Sequence, residues 1–422
     1  VTPRDRLQAI WREAVRAVHA GDAAGRVLAD VAPREPLVVL ALGKAAHAMA
    51  ARVEALAGHR IAGGLAITKD GHGGPLARIP LREAGHPLPD ARSEAGAREA
   101  LRIAAAARPD HVLLVLLSGG ASALTACPAP GLELADLVRT TEALLRCGAD
   151  IAETNAVRKH LSDFSGGRLA RASACHRTEV LVVSDVPGDA LDVIGSGPCA
   201  PDPTTYRDAL GALERRAATS RVPARVLAHL RRGVAGGVPE TPKAGDPAFA
   251  RVRHTLIASN ADARQAAAEA ARSLGLEPVD LGEVLAGEAR ECARALIAAA
   301  RARRAPRPRC LIAGGETTVT VRGSGRGGRS QELALSAACE LAEGSPFASV
   351  LAAGTDGTDG PTDAAGAFAD AGSVQRGRAA GADARRALAG NDAYGFFERE
   401  GGLFVTGPTG TNVMDLVLIE VS

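Results

Sequence analysis

Of the 50 basic residues in this chain only four are lysine, at Lys44, Lys69, Lys159 and Lys243. Arginine is a wide planar fork that always carries its charge, whereas lysine is a compact ammonium that reaches a phosphate or a transferring oxygen without crowding it. The chain is rich in Ala, Gly, Pro and Arg, the mark of a coding bias under which lysine drifts to arginine wherever either will do. Positions that stay lysine are therefore candidates for a required point charge. Three of them lie in Gly-rich or polar segments beside apolar runs: LALGKAA around Lys44, ITKDGHGG around Lys69 and NAVRKHLSDFSGGRLA around Lys159. That pattern suits phosphate chemistry; the bland alternative is three solvated lysines.

The glycine-rich segments extend the argument. At 43–46, an apolar run followed by Gly43-Lys44 and an Ala-rich helical stretch brings backbone N–H groups, a helix start and one cation to one point, which is an anion site. It lacks the flanking residues of a Walker loop. In SGGASAL (118–124), Ser118 and Ser122 offer hydroxyls, while Gly119 and Gly120 let an anion approach the backbone, unless the turn serves packing alone. No G-x-S-x-G elbow is present there. SDVPGDALDVIGSGP (184–198) places Asp185, Asp189 and Asp192 directly after an apolar run. Carboxylates at a strand end are metal or general-base candidates, and Mg²⁺ in phosphoryl-transfer sites needs only one or two of them; Asp192 is equally placed to cap a helix. Further on, GGETTVTVRGSGRGGRSQE combines Glu316, Arg326, Arg329 and Gln331 with a glycine loop, where an arginine can neutralise a transferring phosphoryl group. AAGTDGTDGPTDAAGAF adds Asp356, Asp359 and Asp363 without the spacing of an EF-hand, although Asp and Thr also stabilise turns by local hydrogen bonds. The histidines lie in separate segments with no H-x-x-x-H pair, which argues against zinc.

These residues need elements to hold them. Pro36–Leu42, Ile61–Thr68, Val112–Leu117 and Val180–Ser184 read as buried strands, each followed by one of the polar loops. Continuous apolar strands alternating with helices imply a parallel sheet covered on both faces, with the ligand crevice at the carboxyl ends of the strands. A length of 422 residues predicts at least two domains. With aromatics at 2%, the core must be built from Ala, Val, Leu and Ile, which favours layered α/β packing. The Gly/Pro-rich segment GVAGGVPETPKAGDPAF marks a linker, and alternating TVTV beside loop glycines predicts a mixed sheet in the second domain. A net charge of +2 without basic runs interleaved with aromatics argues against nucleic acid. Seven widely spaced cysteines with no C-x-x-C pair read as free thiols of a reducing compartment, no apolar stretch is long enough to span a membrane, and a cytoplasmic location is expected.

Eight segments in order, ALGKAAHAM, ITKDGHGG, AGHPLPD, LLSGGASAL, NAVRKHLSDFSGGRLA, VSDVPGDALDVIGSGPCAPDPTT, AGGETTVTVRGSGRGGRSQELAL and AAGTDGTDGPTDAAGAF, resemble almost end to end the glycerate 2-kinases with a C-terminal MOFRL domain. The resemblance implies an N-terminal Rossmann-like three-layer α/β domain with a mainly parallel sheet over 1–242. It implies a smaller α/β domain with a mixed sheet over 243–422 and an active site in the cleft between them. It implies transfer of a phosphoryl group from ATP, with Mg²⁺, to the 2-hydroxyl of D-glycerate. On its motif positions, Lys44, Arg329 and Asp189 become the catalytic candidates, and Asp185 and Asp189 the metal ligands. Gly43, Ser118, Gly119, Gly120, Ser122, Lys69, Asp185, Glu316 and Asp356 become the nucleotide-binding candidates. Asp70 departs from the pattern at a position where an aromatic is anticipated. Members of the family have also been labelled hydroxypyruvate reductases, but no strand here is followed by G-x-G-x-x-G with an acidic residue about 20 positions on. A non-catalytic sensor of sugar acids or nucleotides is the third reading, and a homodimer is the one macromolecular partner left open.

Overall fold

The computed structural model describes residues 1–421 apart from 33, 305 and 344–346. The chain forms two compact units, one of Ala20–Ser184 and Gly188–Ile257, the other of Val1–His19, Asp185–Pro187 and Ala258–Ser422.

In the first unit, β1 (Leu37–Leu42), β2 (Ile61–Lys69), β3 (Leu81–Ala84), β4 (Val112–Leu117), β5 (Arg177–Val183) and β6 (Val252–Ala258) form one sheet in the order β3-β2-β1-β4-β5-β6. The pairs β1–β2, β1–β4, β2–β3 and β4–β5 are parallel. Every residue of β1 and β4 is buried, as continuous Val/Leu runs require in a sheet covered on both faces. The boundary between units falls at 257/258, beyond the expected 242/243, because β6 completes this sheet. The Gly/Pro-rich segment before it is tied down rather than free. The Asp202 N–H donates to the Pro242 carbonyl at 2.9 Å, and the Thr241 hydroxyl donates to the Asp202 carboxylate at 2.9 Å.

In the second unit, β7 (Glu277–Leu285), β8 (Arg309–Gly315), β9 (Ala348–Gly354), β10 (Gly366–Asp370), β11 (Leu403–Phe404) and β12 (Asp415–Val421) run in the order β11-β10-β9-β12-β8-β7. The sheet is mixed: β7–β8 is parallel, whereas β12 is antiparallel to both β8 and β9, and β10 to β9 and β11. The alternation at Thr317–Val321 is not its source, since that stretch makes only an isolated bridge between Thr318 and Glu288. The N-terminal helix Pro3–Ala17, capped by a reciprocal Thr2–Asp5 box, belongs to this unit and buries Leu7, Ile10 and Trp11, with the Trp11 ring edge-on to Phe404 at 4.9 Å. All seven cysteines are unpaired. Among the described residues, no helix is long and apolar enough to cross a membrane.

Lys159 departs from the expected pattern. It lies in the helix Ile151–Leu161 with its side chain 2% exposed, and its ammonium donates to Asp192 at 2.9 Å and Asp202 at 3.3 Å. Burial would raise the Asp202 carboxyl, but Lys159 and the Thr204 N–H and hydroxyl outweigh it and hold that group below the usual range. This lysine is an internal counter-ion, and Asp192 is its partner rather than a helix cap. Lys159→Ala should strand the fully buried Asp202 and cost about 3–5 kcal/mol of folding free energy. Urea denaturation checks this, and a midpoint equal to that of the parent protein contradicts the counter-ion role.

Candidate functional site

In the order β3-β2-β1-β4-β5-β6, connections leave β1 toward one edge and β4 toward the other, so the fork between β1 and β4 is the topological switch point at which open α/β sheets bind ligands. Register places Leu42 opposite Leu117, so Gly43-Lys44 and Ser118-Gly119-Gly120 leave the sheet side by side. Gly43 has φ +119°, and a Cβ there would stand 2.3 Å from Ser118 Oγ, so only glycine fits. The Ser118 hydroxyl accepts from the Ala45 N–H at 3.1 Å and donates to the Leu42 carbonyl at 3.3 Å, joining the two loops.

Of the two loops read as anion sites, one keeps its backbone donors and the other does not. Gly43, Lys44 and Ala46 N–H groups already donate to Ile67, Gly119 and Gly43 carbonyls, so the first loop offers its side chain and little backbone. Among the described residues, the Gly119 and Gly120 N–H groups have no protein acceptor. Around Gly120 the Lys44 side chain and the His86 ring converge, each 3.2 Å from where a Cβ would stand. Lys69 ends β2, the neighbour of β1. Ser122 turns away from this point, its hydroxyl 2.7 Å from that of Ser196. Asp70 forms an exposed bidentate pair with Arg92 at 2.7 and 2.8 Å, a solvated role that accounts for its charge.

The second unit gathers carboxylates at one sheet edge by a different device. Because β12 is antiparallel, its first residue, Asp415, faces the last residues of β8 and β9, Gly315 and Gly354. Glu316 follows β8 directly, and Asp356 follows β9 by one residue. Arg329, the first residue of the helix Arg329–Leu341, enters this group: it donates to both Asp415 oxygens at 2.6 and 3.0 Å and to Glu316. Burial opposes the charged form of Arg329, but Asp415 and Glu316 more than offset it and hold the guanidinium above its ordinary range. Asp359 is 3% exposed and accepts from the Ser330 and Gln331 N–H groups at 3.1 and 2.8 Å, capping that helix. Asp356 closes a local turn through Thr358, and Asp363 accepts from the Tyr394 hydroxyl at 2.9 Å. The dense Gly/Thr/Asp loop thus has structural work as well as charge.

Asp185 groups with the second unit, where its carboxylate accepts from Asn412 Nδ2 at 3.0 Å. Asp189, in the first unit, sits at φ +55°, and its Oδ1 is buried without a hydrogen-bond donor. A buried, unsatisfied carboxylate oxygen is suited to a cation or a proton. Among the described residues no three Asp, Glu, His or Cys side chains form a ready-made metal site. Mg²⁺ in phosphoryl transfer takes only one or two protein carboxylates and completes its shell with water and phosphate oxygens, so a carboxylate such as that of Asp189, with one oxygen unsatisfied, has the chemistry to ligate it. Asp415, Asn412 and His86 were missed in the sequence. Asp415 could have been found as the acid heading an otherwise apolar terminal strand, and His86 by its place in AGHPLPD.

Fold and site together define a two-unit α/β protein with a lysine- and glycine-lined fork at the switch point of one sheet and an arginine–carboxylate cluster in the other unit. Residues 6–231 match the family described as a domain of unknown function, DUF4147, and residues 309–415 match the MOFRL family. A glycerate 2-kinase of Pyrococcus horikoshii is 43% identical over 91% of this chain and 87% of its own. A putative hydroxypyruvate reductase of Agrobacterium vitis is 41% identical over 92% and 88%. The crystal structure of a glycerate kinase from Thermotoga maritima superposes with a TM-score of 0.86 at 38% identity, covering 99% of both chains. The chain belongs to the glycerate 2-kinase family that joins a DUF4147 region to a MOFRL region.

Burial and the neighbouring Asp415 carboxylate push the Asp359 carboxyl up to about 7, against the pull of its two N–H donors. A carboxyl whose native pKa exceeds its unfolded value keeps a proton that the unfolded chain releases, so its contribution to stability falls as pH rises from about 4 to about 7. Folding free energy should decline across that window by at most about 1.4 kcal/mol per pH unit. Asp359→Asn should flatten the slope. Denaturant titrations of both proteins across the weakly acidic range test this, and parallel profiles would reject it.

Proposed function

We propose that this protein transfers the γ-phosphoryl group of ATP to the 2-hydroxyl of D-glycerate, giving 2-phospho-D-glycerate and ADP. The observation that carries the reading is the β1/β4 fork. It presents a lysine and unpaired glycine N–H groups where open sheets of this order bind ligands, in a chain at least 40% identical to two proteins named as glycerate 2-kinases over about nine-tenths of its length. The hydroxypyruvate reductase name of some relatives finds no support in the first turn, which is Gly-Lys and not a dinucleotide fingerprint.

In the reaction the 2-hydroxyl oxygen attacks the γ-phosphorus, the bond to the bridging oxygen of ADP breaks, and the hydroxyl proton passes to a carboxylate. Lys44, with the Gly119 and Gly120 N–H groups, supplies positive potential where charge accumulates on the phosphoryl oxygens. Gly43, Ser118 and Lys69 shape and flank that point, and Glu316, Asp356 and Arg329 are the nucleotide-binding and catalytic candidates of the second unit. Asp185 and Asp189 would hold Mg²⁺, which when bound neutralises charge on the phosphate oxygens. The unsatisfied Asp189 Oδ1 also makes this residue the candidate proton acceptor. Arg329 is already engaged by Asp415 and Glu316, so its proposed catalytic role is that of a cation held in register by two acids. The free cysteines accord with a reducing, cytoplasmic setting.

Lys44→Ala should lower kcat by about 10²-fold or more with little change in thermal midpoint, and Lys44→Arg should restore little of it. Phosphorus NMR of the wild-type product separates the 2-phosphate from the 3-phosphate, and a 3-phosphate product would refute the assigned regiochemistry. Asp185→Asn and Asp189→Asn should raise the Mg²⁺ concentration needed for half-maximal rate. A fall in turnover at every Mg²⁺ concentration for Asp189→Asn identifies it as the proton acceptor. If neither variant changes either quantity, the acidic pair has no part in the reaction.

A further inference from the structure

A small cavity of about 80 Å³ in the first unit lies beside the fork already described. Its wall includes Ser122, two residues beyond Gly120, and Pro87, the residue after His86. Its lining combines apolar residues with the hydroxyl-bearing Ser122, Thr141, Ser162, Ser165 and Ser196, and the four serines form two hydrogen-bonded pairs. These are fixed rather than loose. Ser162 Oγ accepts from the Phe164 and Ser165 N–H groups at 3.0 and 3.1 Å, and the Ser122–Ser196 pair leans on Asn155 through a 3.4 Å hydrogen bond from Ser196.

One lining residue is ionisable, and it is an arginine. Arg158 sits in the last turn of the helix Ile151–Leu161, next to the ion-paired Lys159. Among the described residues its guanidinium makes no ion pair and no hydrogen bond. Burial alone disfavours its charged form, with no carboxylate to offset it. A part-buried guanidinium at a cavity wall, with no protein carboxylate paired to it among the described residues, is placed to take its acceptors from a ligand. Arginine matches a carboxylate with two parallel N–H···O bonds. The size of the cavity selects the ligand. One water needs roughly 10–15 Å³ of such space, so the cavity takes about six water-sized groups, the scale of a three-carbon hydroxy acid and far below that of a nucleoside triphosphate.

We propose that Arg158 and the serine-lined cavity around it form the subsite that binds the carboxylate of the acceptor acid. This rests on the kinase reading above and assigns a residue for the acid rather than for ATP. With its carboxylate on Arg158, a small acid has its remaining atoms directed among Ser122, Ser196 and the His86–Pro87 segment, next to the loop around Gly120 toward which the Lys44 side chain packs.

The test is steady-state kinetics on full-length wild type, Arg158→Gln and Arg158→Lys, with D-glycerate and with its neutral amide. Arg158→Gln should raise KM for D-glycerate about 10²-fold, the loss of one bidentate charge-assisted contact, while KM for ATP stays within about twofold. Arg158→Lys should fall between, since it keeps the charge but not the fork. The wild type should prefer the acid to the amide, and Arg158→Gln should lose that preference, a change that mere loosening of the helix cannot produce. An unchanged KM for D-glycerate in a wild-type-active background, or a rise in KM for ATP instead, overturns the inference and leaves the kinase reading intact. If the wild type does not phosphorylate D-glycerate, the kinase reading fails separately. The subsite is then judged by whether D-glycerate alone raises the thermal midpoint of wild type but not of Arg158→Gln, and absence of that stabilisation in the wild type overturns it as well.

Discussion

The first unit depends on the contact between Gly43 and Ser118. β1 and β4 are hydrogen-bonded neighbours whose connections diverge, and the chain can leave both strands at one level only if one turn yields its side chain. Gly43 yields it, at a positive φ that places its α-carbon against the Ser118 hydroxyl. That hydroxyl then bridges the Leu42 carbonyl and the Ala45 N–H, so one serine fixes the exit of β1 and the approach to the helix Ala46–Ala57. Lys44 lies between these two anchors. Its backbone is held on both sides, and the long side chain extends from that fixed base toward Gly120. Such preorganisation lowers the cost of presenting a charge to an incoming anion.

The second unit meets the opposite electrostatic problem. Antiparallel insertion of β12 between β8 and β9 brings the start of one strand to the ends of two others, and each contributes an acid there. Carboxylates this close cannot all be ionised without cations. Arg329 satisfies Asp415 and Glu316 together, while Asp359 is left to the helix N-terminus and to partial protonation. A guanidinium suits this place because its fork spans two carboxylates, which the point charge of a lysine does not.

Much of this was legible in the residues. The buried parallel strands were marked by unbroken Val/Leu runs, and the polar loops by their position just after them. Both glycine loops read as anion sites, but a sequence shows neither that they leave adjacent strands side by side nor that Ser118 and Gly119 consume the Lys44 and Ala45 N–H groups. The domain boundary was placed at a Gly/Pro-rich segment, yet Thr241 and Pro242 bind Asp202, and the chain returns afterwards to supply β6. Composition signals a turn but not whether tertiary contacts hold it. Asp415 was hidden for a related reason: its significance comes from strand direction, which pairing decides and local pattern does not.

The scarcity of lysine gains a physical meaning from these contrasts. Lys159 occupies a sealed position between Asp192 and Asp202, where a compact ammonium fits and the wider guanidinium would have to displace its surroundings. Lys44 occupies a glycine-walled fork, where reach and small cross-section matter for a different reason. Lys243, part-exposed, bonds the Thr204 carbonyl and the Thr241 hydroxyl through its small head. Retention of lysine against a compositional drift toward arginine therefore does not by itself mark catalysis. What surrounds each lysine sets its part: two carboxylates already in place make Lys159 structural, while beside Lys44 lie the Gly119 and Gly120 N–H groups, which have no protein acceptor among the described residues and leave room for an anion to approach.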